Sequence, residues 1–331
     1  MELVYEFKVK TWSKRQKIRY LETYFLVRFL FTCHQKNQTM KKRIWFIINP
    51  ISGVRRKDDI PGMIRTYLNH DLFEFEIKFT QHKGHAIDLA KEAVERKIDI
   101  VCAVGGDGSV HEVGTGLIGS TTKLAIIPIG SGNGLARHMN IPLTVSKAIE
   151  CINEMDEIQM DTVLVNDTPF IGIGGYGLDA VIAKKFDQDK KRGFFTYMKL
   201  ALKEFFKYNP INISIDTNGQ IKKMPVVLCT IANTSEFGNG FVVSPKSDAT
   251  DGKIELFLLK PFSLWRMPAL AYQFFTKRSH KSQFAEVISF EKAKINLSQR
   301  IAHYDGEPVA VRSELNVQVV PKSLHILIGK K

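Results

Sequence analysis

The sequence predicts an α/β protein: a doubly wound parallel sheet over residues 41–157, then a mostly antiparallel β domain. Three observations predict it. From Lys41 onward, short apolar runs alternate with segments of helical hydrophobic spacing. Three of those runs end in loops rich in Gly, Asn and Ser. After about residue 157 the rhythm changes to short strands separated by turns. Alternating strands and helices imply a parallel sheet covered on both faces, whereas closely spaced short strands imply antiparallel pairing.

Ile44–Ile48 is an apolar run stopped by Asn49-Pro50, a buried strand. Asp59–Asn69 reads as a helix. Phe73, Phe75, Ile77 and Phe79 alternate with polar residues, a half-buried strand. Over His85–Lys97, Ala86, Leu89, Ala90, Ala93 and Val94 share one helical face. Ile98–Val104 is a strand ending in Gly105-Gly106, Ser109–Ile118 a helix, and Leu124–Ile129 another buried strand. Beyond residue 157 one long helix is expected, Phe194–Tyr208. Strands are expected at Val226–Ile231, Ile254–Leu259, Glu286–Phe290, Ala293–Leu297, Val309–Val311, Leu315–Val320 and Leu324–Ile328. Asp216-Thr217-Asn218-Gly219 is a hairpin signal and Asp251-Gly252 a turn.

The chain has 331 residues, 44% hydrophobic and 24% charged, enough for about two domains. That composition excludes a disordered chain, a collagen and a coiled coil. No apolar run reaches the ~18 residues of a membrane-spanning helix. The formal net charge is +13, which favours an anionic partner. Residues 1–40 hold eight Lys/Arg against three Glu, so more than a third of that excess lies in one basic leader. Arg28 interrupts its apolar stretch and no small-residue cleavage site follows, so a signal peptide is disfavoured. The leader is either a membrane-surface anchor or sequence upstream of a true start at Met40, outside the globular protein. The four cysteines, Cys33, Cys102, Cys151 and Cys229, show no metal or redox spacing and suit a reduced, cytoplasmic protein.

Chemistry concentrates in the loops. Gly105-Gly106-Asp107-Gly108-Ser109 follows a strand and opens a helix. Glycines allow close backbone approach, and the N–H groups beyond them make a phosphate cradle at the carboxyl edge of the sheet. Asp107 in such a cradle would repel phosphate unless a cation bridges them, which implies Mg²⁺. Pro128-Ile129-Gly130-Ser131-Gly132-Asn133-Gly134 and Asn49-Pro50-Ile51-Ser52-Gly53 are two further loops of this kind. The Walker pattern is absent. Gly172-Ile173-Gly174-Gly175-Tyr176-Gly177 fits G-x-G-x-x-G but lies where the alternation has ended. It is expected to be a tight turn that sets Asp179 near an inter-domain cleft.

The ordered set Asn49-Pro50-x-Ser52-Gly53, Gly105–Ser109, Gly130-Ser131-Gly132-Asn133, Asp248-Ala249-Thr250-Asp251-Gly252 and Asp305-Gly306-Glu307 resembles the diacylglycerol kinase and sphingosine kinase superfamily of lipid kinases, including the bacterial YegS type. The resemblance covers residues 41–331. It implies an α/β ATP-binding domain over 41–157 and a β-sandwich lipid-substrate domain over 158–319. The last strand, within 320–331, returns to the first domain, and ATP lies between the two. It further implies that Asn49, Thr80, Gly105, Gly106, Asp107, Gly108, Ser109, Gly130, Ser131, Gly132 and Asn133 hold the nucleotide. Asp107 acts on ATP-Mg²⁺, Glu307 is the base, and Asp179 lies near the lipid head group. Asp248, Asp251 and Lys253 form a structural Mg²⁺ turn. His111 and Gly134 depart from many bacterial members, and the Gly-Ser-Gly-Asn form leans toward the sphingosine-kinase-like branch.

The expected activity is transfer of the γ-phosphate of ATP to the hydroxyl of a diacylglycerol-like or sphingoid-like lipid, in phospholipid metabolism. Basic and aromatic residues mix in Lys190-Lys191-Arg192-Gly193-Phe194-Phe195 and in Phe274-Phe275-Thr276-Lys277-Arg278. Such patches suit transient contact with an anionic inner-membrane surface, and no nucleic-acid motif accompanies them. The alternatives are a soluble NAD or sugar-phosphate kinase and a catalytically silent lipid or nucleotide sensor.

Overall fold

Asp59 shows how local chemistry starts the elements. Its carboxylate accepts the Gly62 N–H at 2.9 Å and so caps helix α1, Ile60–Tyr67, with Pro61 in the first turn. The computed structural model describes residues 41–50, 59–188 and 194–330. The leader, Ser52-Gly53 and Lys190–Gly193 lie outside the described residues. Lys42–Lys331 forms one compact unit.

Strands β1 (Lys42–Ile48), β2 (Phe73–Phe79), β3 (Ile100–Gly105) and β4 (Lys123–Pro128) pair in parallel, in the order β2-β1-β3-β4. Every residue of β3 is buried, as a central parallel strand requires. Edge strand β2 leaves Phe79 half exposed. Helices α2 (His85–Glu95) and α3 (Asp107–Leu117) pack on each other, and α1 packs on α5 (Val145–Glu154). The short α4, Gly134–His138, follows the second glycine loop. The predicted elements of this domain agree with those observed to within two residues at most ends.

The second domain begins with β5 (Glu157–Val165), β6 (Thr168–Phe170) and β7 (Ile173–Gly177). Helices α6 (Leu178–Gln188) and α7 (Phe194–Phe205) come next. Then come β8 (Ile211–Thr217), β9 (Gln220–Val226), β10 (Leu228–Ala232), β11 (Ile254–Leu259), helix α8 (Met267–Phe275), β12 (Ala285–Phe290), β13 (Lys292–Leu297), β14 (Ile301–Tyr304), β15 (Glu307–Ala310) and β16 (Glu314–Leu327). One antiparallel sheet runs β12-β11-β10-β7-β14-β15. It faces the antiparallel end of the first sheet, β16-β13-β8-β9 with β5 and β6, across a shared apolar core that includes Phe170, Tyr176, Ile231, Leu256 and Ile295. The molecule is therefore a parallel-sheet α/β domain followed by an antiparallel β-sandwich.

Strand β16 joins the two. Its first half pairs antiparallel with β13, and its Ile326 pairs parallel with Leu124 of β4. Leu324, Ile326 and Leu327 bury in the first domain's core, whereas Leu315 and Val317 bury in the sandwich. The two strands expected at Leu315–Val320 and Leu324–Ile328 are thus one strand with an irregularity between Val320 and Leu324. The kink at Lys322, φ +50°, hides the continuity from any period-two reading.

Other expectations are corrected. Gly172–Gly177 is largely a buried strand, β7, rather than a tight turn. A methyl group on Gly175 would come within 2.0 Å of the Asp179 carboxylate and 2.1 Å of the His303 ring, so packing requires this glycine. Val226–Ile231 is two strands, β9 and β10, broken at Val227. Helices α6 and α8 join α7, the one helix expected beyond residue 157.

Asp161 of β5 is fully buried and unites distant pieces. Its carboxylate accepts the N–H of Lys322 at 2.7 Å, in the β16 kink, and of Gly252 at 2.8 Å, in the Asp251-Gly252 turn. Exchanging Asp161 for Ala leaves two part-buried donors unmatched and should cost about 1–3 kcal/mol, measured by urea unfolding. Asp161→Asn should cost less, because it keeps an acceptor.

Candidate active site

Each parallel strand ends at the same edge. Asn49 N–H reaches Val104 O at 3.4 Å, and Thr80 N–H reaches Ile48 O at 3.0 Å, so Asn49, Thr80 and the start of the Gly105–Ser109 loop lie side by side. Gly105 closes β3 and Asp107 opens α3, with Gly106 extended between them. The neighbouring loop approaches so closely that a methyl on Gly130 would lie 2.5 Å from the Gly106 Cα. Asn133, at φ +55°, closes that loop by donating its side-chain amide to Gly130 O at 2.9 Å and accepting the Gly130 N–H at 3.1 Å.

Asp107 joins the two loops. Its carboxylate accepts the Gly134 N–H at 2.7 Å and the Asn133 N–H at 2.8 Å. Burial pushes its carboxyl up, the two N–H groups oppose that shift, and the charge of Asp305 adds to it. Ser109 and Ser131 are half buried on the two loops. The Gly132 carbonyl accepts the Arg137 Nε–H at 3.1 Å and the Asn239 N–H at 3.2 Å, so a segment of the second domain crosses the second loop.

Glu307 comes from the far end of the sequence to the same place. Hairpin β14–β15 turns at Asp305 (φ +50°) and Gly306 (φ +87°), the left-handed pair a two-residue hairpin requires. A methyl on Gly108 would lie 2.7 Å from Glu307 Oε1, so this carboxylate rests on the first glycine loop, one residue from Asp107. Lys83 Nζ meets Glu307 Oε2 at 2.5 Å. Glu112 accepts the N–H groups of Gly84 at 2.9 Å and Ala86 at 3.3 Å, which fixes the loop that carries Lys83.

Two acid–histidine pairs hold the hairpin. Asp305 accepts N–H groups from Ile171, Gly172 and Ile173 at 2.8–3.0 Å, and its Oδ2 lies 2.7 Å from His111 Nδ1. His111 is on α3, so this pair ties the two domains together. Burial alone would lower the His111 pKa, but the hydrogen bond and charge of Asp305 outweigh it and raise it above its ordinary 6.5. Burial likewise opposes ionisation of Asp305, yet His111 and the backbone N–H groups hold its carboxyl low. The second pair, Asp179 Oδ2 to His303 Nε2 at 2.6 Å, is buried. Burial opposes the His303 charge, and Asp179 prevails to raise its pKa. The Gly306 N–H reaches His303 Nδ1 at 3.3 Å, so Asp179 touches the Glu307 hairpin through His303.

Asp248, Asp251 and Lys253 lie in a different arrangement. Asp248 Oδ1 accepts the Thr250 N–H at 3.0 Å and hydroxyl at 2.7 Å, and Asp251 Oδ1 accepts the Lys253 N–H at 2.9 Å. One oxygen of each carboxylate, Oδ1, closes its own turn. Among the described residues no three His, Cys, Asp or Glu side chains gather as a metal site. The expected Mg²⁺ turn would instead use the Asp251 carboxylate with the backbone carbonyls of Asp248 and Lys253.

Sequence reasoning passed over Lys83, Glu112, Asp161, His303 and the partners of Asp305. The signal for Lys83 was its place after β2, in a fourth loop at the edge already lined by glycine loops.

The His111–Asp305 pair carries a signed pH dependence. A histidine whose pKa is raised by folding contributes its full stability below about pH 6.5 and loses it as pH rises through the raised value. The stability difference between wild type and His111→Ala should be about 1–3 kcal/mol near pH 6 and shrink toward pH 9, followed by urea unfolding.

Comparison with known proteins agrees with the two-domain architecture. The diacylglycerol kinase catalytic domain model matches residues 43–165, and the YegS C-terminal NAD kinase beta sandwich-like domain model matches residues 171–328. A diacylglycerol kinase of Bacillus subtilis is 26% identical over 272 residues, covering 80% of this chain and 90% of its own length. One from Staphylococcus carnosus is 23% identical over 291 residues, covering 87% and 93%. The crystal structure of a diacylglycerol kinase from Bacillus anthracis superposes with a TM-score of 0.67 at 18% identity, covering 88% of this chain and 98% of that one, and so shares the fold.

Proposed function

We propose, for a chain that belongs with the lipid kinases of the diacylglycerol kinase family by its two successive domains, that it transfers the γ-phosphate of ATP to a lipid hydroxyl at a membrane surface. The observation that carries this reading is the Glu307 carboxylate lying on Gly108, beside Asp107 and between the glycine loops and Lys83. Phosphoryl transfer needs positioning, charge neutralisation and an acceptor for the hydroxyl proton.

The residues divide those tasks. Backbone N–H groups of the Gly105–Ser109 loop and of Ser131 and Gly132, in a loop that Gly130 and Asn133 close, receive the nucleotide, with Asn49 and Thr80 at the same edge. The lipid hydroxyl gives its proton to Glu307 as its oxygen bonds the γ-phosphorus, and the bond to the β-phosphate oxygen breaks to release ADP. Lys83 orients Glu307 and sets a positive charge beside the transferring group. Magnesium accompanying ATP neutralises phosphate charge, and Asp107 is the carboxylate within the cradle. Asp179, through His303, braces the hairpin on the side where the lipid head group is expected.

Membrane-surface action follows from the substrate. No helix among the described residues is long and apolar enough to cross a bilayer. The described cysteines are free and buried, and burial pushes Cys151 up to about 11 and Cys229 up to about 12. Such inert thiols suit a reducing cytoplasm, with the protein peripheral to the inner face.

Incubation with labelled ATP, Mg²⁺ and a panel of diacylglycerols and sphingoid bases should yield a labelled lipid. Glu307→Gln should lower kcat by about 10²–10⁴ while leaving the unfolding midpoint near wild type. Label only in water-soluble products would contradict the reading.

A further inference from the structure

Between Lys260 and Phe284 the chain carries five Lys/Arg and no Asp or Glu. This segment holds the short turn Leu264–Arg266 and helix α8. One face of α8 is core: Leu270 and Phe274 are buried against the six-stranded sheet. A second apolar stripe runs along the other face, where Trp265, Pro268, Ala269 and Tyr272 recur at helical spacing and are exposed. Trp265 is 93% exposed and Tyr272 62%. Exposed Arg266, Lys277, Arg278 and Lys281 surround that stripe.

The neighbouring helix repeats the pattern. Leu202 of α7 and Phe206 just beyond it are exposed, with exposed Lys199, Lys203 and Lys207 among them. Phe205 and Phe262, their ring centroids 4.9 Å apart, join the two patches. A contiguous apolar surface with a basic rim marks an interaction face. Its partner must be negative and must offer water-free depth for an indole and a phenol ring, which is the chemistry of an interfacial belt on acidic lipid. A second copy of this chain would set +13 against +13, and the leader would set its own basic excess against the same lysines and arginines.

We propose that the outer face of α8, extended by the end of α7, docks on an anionic lipid bilayer, with Trp265 and Tyr272 at head-group depth and Arg266, Lys277 and Arg278 on lipid phosphates. The inference rests on the lipid-kinase reading in that it names the surface through which such an enzyme reaches a membrane-held substrate. Aromatic residues supply depth, and the cations supply attraction that salt screens.

The test is flotation of the full chain with vesicles of phosphatidylglycerol and phosphatidylcholine, and with phosphatidylcholine alone. It compares wild type, Trp265→Ala/Tyr272→Ala and Lys277→Glu/Arg278→Glu. Phosphorylation of dispersed dioctanoylglycerol and a short-chain sphingoid base is followed in parallel. Wild type should bind the anionic vesicles at least tenfold more tightly than the neutral ones. Both double variants should lose at least tenfold of that binding, with turnover of the dispersed lipids unchanged. Equal binding by wild type and both variants would overturn the docking face, as would equal binding to neutral and anionic vesicles. Absence of turnover on every dispersed lipid in wild type would instead overturn the lipid-kinase reading, while the flotation result still decides the face.

Discussion

Everything at the candidate site depends on one half-buried carboxylate accepting two backbone N–H groups. Asp107 stands at the first turn of α3 and reaches across to Asn133 and Gly134 at 2.8 and 2.7 Å. That fixes the spacing of two glycine loops that belong to successive strands. Without it, the closest backbone approach, Gly106 against Gly130, would lose the polar fastening at its centre. The same fastening makes a charge problem. Burial pushes the Asp107 carboxyl up, and the two N–H donors oppose that shift.

The second constraint is topological. Strand β16 contributes side chains to both cores, so the domains are not independent beads on a linker. The β14–β15 hairpin uses that rigidity. Its turn residue Asp305 is held by three N–H groups of its own domain and by His111 of the other. Glu307, two residues on, is thereby delivered to Gly108 from the other end of the sequence. A carboxylate carried on a loose loop would lack this precision. The His111–Asp305 and Asp179–His303 pairs show how the position is secured: two hydrogen-bonded acid–histidine pairs, the second fully buried, brace the hairpin from two sides.

Much of this was legible in the sequence, and the reasons differ by region. The parallel domain announced itself because buried strands and amphipathic helices have different periods, and β1, β3 and β4 each ended in a loop of conspicuous composition. Asp107 was legible as a carboxylate among glycines, although its bonds to Asn133 and Gly134 were not. The sandwich was harder. Gly174 and Gly175 imitate a phosphate loop, yet they are small because Phe170, Asp179 and His303 occupy the space a side chain would fill. The kink in β16 splits one strand into two apparent ones. Lys83 carries no motif, and its role arises from the edge of the sheet on which it happens to lie. Asp248 and Asp251 each give one carboxylate oxygen to their own turn, a bond that residue spacing does not announce.

The most direct measurement is the structure of the chain crystallised with magnesium and a non-hydrolysable ATP analogue. The triphosphate should lie against the N–H groups of Gly106–Ser109 and of Ser131 and Gly132, with Glu307 and Lys83 facing the terminal phosphate. A nucleotide bound away from both glycine loops, or a Glu307 withdrawn from Gly108 in the complex, would contradict it.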